Sequence, residues 1–144
     1  MKYMKAAEDY VLFFETLSSR SLRLLPKHVS PGVRFKDPFN DVIGSDQMER
    51  VLAHMFTQLH SPKFKVHDVS WGRDEHTAYL KWTFSYILPK SGQKDSFEGM
   101  SEITFHPSGK IASHIDFWDP TYPIYMRVPF LQWILGKVLK KLST

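Results

Sequence analysis

His114 and Asp116 stand two apart in the stretch Ile111-Ala112-Ser113-His114-Ile115-Asp116-Phe117-Trp118, which reads as a strand. Alternate residues of a strand share a face, so Ala112, His114, Asp116 and Trp118 point one way and Ile111, Ser113, Ile115 and Phe117 the other. An imidazole and a carboxylate side by side form an acid–base pair. The carboxylate orients the ring, and the ring exchanges protons near neutral pH. The plainer alternative is a solvent-facing ion pair or a satisfied pair at a sheet edge. Other chemistries have less support. There is no cysteine, which removes thiolate catalysis and Cys-ligated zinc. His54 and His60 have the wrong spacing for a joint metal site, His67, His76 and His106 are scattered, and no His-Glu-x-x-His pattern occurs. Ser18, Ser19 and Ser96 lack a local nucleophile context, and glycines fall singly in turns, so no phosphate cradle is visible. We expect neither metal nor cofactor.

The elements that position these residues follow from periodicity. Apolar residues at helical spacing predict a helix over 3–17, a short second helix from Ser21, and a third helix opened by Gly44 with Ser45 as N-cap. The stripe of the third helix is Met48, Val51, Leu52, Met55, Phe56 and Leu59. Residues 33–37 alternate as a short strand that stops at Pro38. Four longer strands are expected over 64–71, 76–88, 96–106 and 110–118, joined by turns at 72–75, 89–92 and 107–109. On the second of these, Leu80, Trp82, Phe84, Tyr86 and Leu88 form one apolar face, for which core is the simplest reading. Helix returns over 123–142, with Pro129 kinking or dividing it. Helices, then sheet, then a closing helix is an α+β order.

A chain of 144 residues with 42% apolar and 15% aromatic residues fits one domain with a substantial core. The net charge of +4 is dispersed among acidic residues, which does not make a nucleic-acid stripe. The N-terminal segment is charged where a signal peptide is apolar, and no apolar run is long enough to cross a membrane. Together with the missing cysteines this leads us to expect a cytoplasmic protein without a nucleic-acid partner.

Three segments carry a family resemblance: Phe35-Lys36-Asp37-Pro38-Phe39-Asn40-Asp41-Val42-Ile43-Gly44, Phe105-His106-Pro107-Ser108-Gly109-Lys110-Ile111, and His114-Ile115-Asp116-Phe117-Trp118-Asp119. Their order resembles the nuclear-transport-factor-2-like superfamily, nearest its SnoaL-like branch, to which polyketide cyclases and ketosteroid isomerase are related. The resemblance implies a cone-shaped curved antiparallel sheet packed against N-terminal helices, over a core of about 3–119. A helical extension over about 121–142 goes beyond it, giving a single domain over 1–144. It also implies a homodimer and a pocket for a small apolar molecule. Asp37 matches the isomerase's general base and Tyr10 its oxyanion-donating tyrosine. Ser101 stands where the isomerase has a protonated aspartic acid, a departure from that pattern. Asp37, His114, Asp116 and Tyr10 are therefore the candidate catalytic residues, and Trp82, Phe84, Ser101, Trp118 and Met55 the candidate ligand contacts. Two carboxylates and an imidazole over aromatic walls suit proton abstraction beside a carbonyl, cyclisation through an enolate, or addition of water. The same residues also fit a non-catalytic ligand-binding module or a structural dimer domain. Asp37 also fits a turn and helix-entry cap, and Tyr10 a core tyrosine with one hydrogen bond.

In the last helix Leu131, Ile134, Leu135, Val138 and Leu142 form an apolar arc opposite Lys137, Lys140, Lys141 and Trp133. We expect it to pack on the sheet or over the pocket entrance, with a dimer contact or a membrane surface as alternatives.

Overall fold

The computed structural model describes residues 2–144. Helix α1, Met4–Glu15, buries Ala7, Tyr10, Phe13 and Phe14 along one side, as the helical spacing requires. A 3₁₀ helix, Ser21–Lys27, buries Leu22 and Leu25. Strand β1, Val29–Lys36, starts earlier than the alternation indicated and takes in Pro31 and Gly32, where its pairing shifts register. A three-residue strand β2, Asp41–Ile43, folds back on β1; it is too short to show a period.

Helix α2, Ser45–Gln58, is opened by Gly44 and not by a serine cap. Ser45 is the first helical residue, and its side chain makes no capping bond. Gly44 has φ +112°, and a Cβ there would lie 2.8 Å from Asp46 Oδ1. A side chain there would strain the backbone and oblige the Asp46 carboxylate to shift. Strands β3, His60–Trp71, β4, Thr77–Ile87, β5, Lys94–Phe105, and β6, Ile111–Phe117, form the expected meander.

The sheet order is β2-β1-β6-β5-β4-β3. Two features correct the cone-shaped antiparallel sheet implied by the resemblance. β1 runs parallel to β6, so the sheet is mixed. Its outer strands β2 and β3 do not pair with each other, so it stays open and neither curls nor closes into a cone. A three-residue edge strand offers too short a ladder to close a sheet. The space between the edges is taken instead by α2, which packs against β1, β2 and β3.

The core lies between this sheet and α1, the 3₁₀ helix and α2. It is built on Tyr10, Leu25, Val33, Phe35, Met48 and the inward residues Leu80, Trp82, Phe84 and Tyr86 of β4. Beyond β6 the chain makes a short 3₁₀ turn, Tyr125–Arg127, and then helix α3, Pro129–Leu142. Pro129 is the first residue of α3, where its missing N–H costs nothing. α3 is not packed on the sheet as expected: none of its residues is buried, and its packing partner is the 3₁₀ turn.

Gly44→Ala is expected to lower stability by about 1–3 kcal/mol, read as a fall in the urea midpoint with unchanged slope.

Candidate functional site

β6 carries the centre of the site, and a bulge decides which way it faces. Phe105 pairs with Ile111 and Thr104 with Ser113, which leaves Ala112 as the extra residue. Its effect is that Ile111 and His114, three apart, are both buried. From His114 onward the period-two pattern resumes, and Asp116 and Trp118 follow His114 inward. His114 is 3% exposed. Its ring lies among the rings of Tyr10, Phe14 and Phe35 at centroid distances of 5.2–5.6 Å. Phe35 is its neighbour on the parallel strand β1.

Polar groups in such surroundings must find partners, and here they form one chain of hydrogen bonds. The Trp82 indole N–H donates to Ser101 Oγ at 2.8 Å, and the Ser101 hydroxyl donates to Asp116 Oδ1 at 2.5 Å. Indole can only donate, so the serine proton is committed to the carboxylate. His114 Nε2 lies 2.7 Å from the same Oδ1, and Tyr10 Oη lies 2.7 Å from His114 Nδ1. With Asp116 ionised, Nε2–H donates to it, and Nδ1 of the neutral ring accepts the Tyr10 proton. No buried side-chain nitrogen or oxygen lacks a partner among the described residues. Asp116 Oδ2 takes part in none of these bonds, so it is the oxygen left accessible.

Tyr10 is held in its neutral form. Burial pushes its phenol well above the usual 10.0, and the Asp116 charge raises it further. Burial likewise lowers the imidazole of His28, which packs on Phe13 and Tyr10.

Asp116 stands at the inner end of a cavity of about 440 Å³. Its floor is the sheet, with Phe35, Trp82, Phe84 and Phe97; one wall is α2, with Val51, Leu52 and Met55. The open side is edged by Pro123, Ile124 and Arg127, from the segment that leaves β6. Trp118 stacks on Phe97 at 4.4 Å and meets Phe39 edge-on at 5.8 Å, which holds it over the cavity. A smaller lobe of about 30 Å³ continues past Trp82 and Asp116 to Ser101 and His114, enough for about one water. Arg127 is held at the rim by an ion pair with Asp95, whose Oδ2 also accepts the Tyr86 hydroxyl at 3.2 Å. Burial raises the Tyr86 phenol, and the Arg127 charge opposes that shift.

Of the residues singled out from sequence, Asp37, Asp116, Trp82, Phe84, Trp118 and Met55 line this cavity. Ser101 and His114 reach only the inner lobe. Tyr10 lines neither space and stands behind His114. Asp37 is clamped in its turn: Oδ1 accepts the backbone N–H of Phe39 at 2.8 Å and of Asn40 at 2.7 Å, and the Asn40 side-chain amide at 3.0 Å. Only the weaker 3.2 Å contact from the same amide engages Oδ2.

Sequence reasoning missed Phe97, Phe39, Gln58, the rim residues and Gly99. Gly99 faces Trp82 across the β4–β5 ladder, and a Cβ there would lie 2.4 Å from the indole. A lone glycine inside a strand was its available signal, since it marks a close approach. The rim residues gave no signal, because irregular segments carry no period.

A model described as the SnoaL-like domain matches residues 11–114. The chain belongs to the SnoaL-like domain family. The matched part of this SnoaL-like chain ends at His114, just short of Asp116. No curated protein matches it in sequence. Solved structures share the fold. An NTF2-like protein of unknown function from Burkholderia pseudomallei is 14% identical with a TM-score of 0.73, over 89% of this chain and 97% of that one. TerC, co-crystallised with polyporic acid, is 16% identical with a TM-score of 0.70, over 84% and 94%. A protein of ketosteroid-isomerase-like fold from Catenulispora acidiphila, in complex with trimethylamine, is 8% identical with a TM-score of 0.67, over 81% and 86%. At these identities the likeness is one of fold alone.

Tyr10→Phe removes a donor from a buried nitrogen and is expected to cost about 1–3 kcal/mol at neutral pH. A phenol raised on folding stabilises the native state below its ordinary value of 10.0 and loses that contribution as pH climbs through the folded value. The stability gap between wild type and Tyr10→Phe should therefore narrow above pH 10, as urea unfolding across pH will show. Gly99→Ala must displace the Trp82 ring, so its indole N–H signal should shift in a proton–nitrogen spectrum and stability should fall by about 1–3 kcal/mol.

Proposed function

We propose that this SnoaL-like chain is an acid–base catalyst acting on a small, largely apolar carbonyl compound, with Asp116 as the proton-transferring group. The observation that carries this reading is one carboxylate with two contrasting oxygens. Oδ1 is saturated by Ser101 and His114, while Oδ2 takes no hydrogen bond, and the carboxylate lines an aromatic cavity. A base fixed in this way needs little reorganisation when it reacts.

In the proposed step Oδ2 removes a proton from the carbon next to the carbonyl. The C–H electron pair moves into the carbonyl, giving an enolate, and Asp116 becomes a neutral acid. Returning that proton to a different carbon completes an isomerisation; attack of the enolate on a second carbonyl, with the proton passing from Asp116 to the new alkoxide oxygen, completes a cyclisation. His114 and Ser101 hold Asp116 in place through Oδ1. Tyr10 acts through His114 as a positioning residue. Gln58 and Arg127 are wall residues able to donate to the enolate oxygen. Asp37 contributes a second carboxylate whose reactive capacity is confined to Oδ2, because Oδ1 is committed to the turn.

The test is hydrogen–deuterium exchange at the α-carbon of 2-tetralone, an apolar aromatic ketone, followed by mass spectrometry in deuterated buffer. Wild type is expected to accelerate exchange above buffer. Asp116→Asn should lose about 10²–10⁴ of the rate, with Asp37→Asn keeping most of it. The reverse pattern would move the base to Asp37. Saturable binding of the ketone without exchange would support a ligand-holding module, the reading that the predominantly apolar walls also favour.

A further inference from the structure

The small lobe beyond the cavity has no part in the step described above. Its volume is about 30 Å³, close to the size of one small group, a water or a methyl. Its apolar lining comes from four elements: Phe14 on α1, Leu52 on α2, Phe64 and Val66 on β3, and Leu80 on β4. β3 is interrupted beside it. Val66 pairs with Trp82 and Asp68 with Lys81, which leaves His67 as an extra residue and bends the strand locally. Leu52, Phe64, Trp82 and Asp116 line both the lobe and the cavity, so the two spaces adjoin.

The hydrogen bonds around the lobe decide what suits it. Its polar side chains are Trp82, Ser101, His114 and Asp116, and they are committed to one another or to Tyr10. The indole N–H, the Ser101 hydroxyl, both imidazole nitrogens and Asp116 Oδ1 are all in use. The backbone N–H of Val66 is taken as well, by Glu15 Oε2 at 3.0 Å. Among these groups only Asp116 Oδ2 is free to accept a bond. A water in the lobe would therefore have at most one side-chain partner, whereas buried waters make about three hydrogen bonds. An apolar group that displaces so weakly held a water gains affinity.

We propose that the lobe is a substrate subsite for a methyl group on the carbon that Asp116 deprotonates, so that the substrate is an α-methyl-branched carbonyl compound. The position follows from Asp116, which lines both spaces. A ligand whose body fills the aromatic cavity and whose reacting carbon meets this carboxylate has the lobe beside that carbon. Val66 and Leu80 then set the size of the branch, since they line the lobe and not the cavity. That the branched carbon is the reacting one rests on the proposed function; the preference for a small apolar branch does not.

The experiment compares 2-tetralone with its 1-methyl and 1-isopropyl derivatives, by calorimetric binding and by deuterium exchange at carbon 1 relative to buffer. The 1-methyl ketone is expected to bind about tenfold more tightly than 2-tetralone, and the 1-isopropyl ketone to lose that gain because the lobe cannot hold it. Val66→Ile adds one methylene to the lobe wall while keeping a β-branched residue in the strand; it should erase the methyl preference. Val66→Ala enlarges the lobe and should move the optimum to isopropyl. Affinity that rises steadily through isopropyl in wild type, equal affinity for the first two ketones, or a methyl preference unaltered in both variants overturns the proposal. If neither variant folds, the wild-type series decides alone. A methyl optimum in binding without exchange of any ketone would leave the subsite intact and remove the catalytic reading. Exchange that Asp116→Asn abolishes, without a methyl optimum, would do the reverse.

Discussion

A carboxylate set against aromatic rings is stable only if its charge is met by fixed donors, and Asp116 is met by two. Each donor depends on a further residue. Ser101 can give its proton to Asp116 because Trp82 fills its acceptor site, and His114 presents Nε2–H because Tyr10 occupies Nδ1. These five residues come from α1, β4, β5 and β6, so one polar chain ties the first helix to three strands. Breaking one link leaves a buried group unpartnered and loosens the next, which makes such a network cooperative and specific in geometry. Gly99 belongs to the same constraint, since the indole can reach Ser101 only where β5 has no side chain opposite Trp82.

Local features of this site were legible in the sequence, and its long-range ones were not. The period-two face of β4 and the shared direction of His114, Asp116 and Trp118 follow from strand geometry and are found in the structure. The bulge at Ala112 is not encoded in any period, yet it puts Ile111 and His114 on one face. Strand direction is equally silent. Alternation in β1 reads the same whether it runs with or against β6, so the parallel pairing was invisible, and the cone came from resemblance alone. The Tyr10–His114 bond spans 104 residues; its partners could be named one by one but not joined.

An open sheet has to enclose its cavity by other means, and this explains the roles of α2 and the segment after β6. α2 lies across the space that the edges leave and supplies Val51, Leu52 and Met55 as a wall. The segment after β6 returns over the sheet as far as Arg127, whose ion pair with Asp95 on β5 fixes it there. Two carboxylates then face the same hollow in different states of engagement. Asp37 spends one oxygen on three N–H groups that shape the turn into β2. Asp116 spends one oxygen on partners that lie outside the hollow and keeps the other for whatever enters.

The Arg127–Asp95 contact also binds the rim to the interior. Asp95 accepts the Tyr86 hydroxyl as well, and Tyr86 is a wall residue on the same face of β4 as Trp82 and Phe84. A displacement of the 3₁₀ turn would therefore free Arg127, leave the Tyr86–Asp95 bond without its cation, and widen the opening beside Trp118. α3 is joined to that turn and to little else, so a force on the helix acts first on the rim. The helix thus meets the rest of the chain chiefly through the rim turn, whereas the polar chain from Tyr10 to Trp82 that fixes Asp116 is built on α1, β4, β5 and β6 and makes no use of the rim.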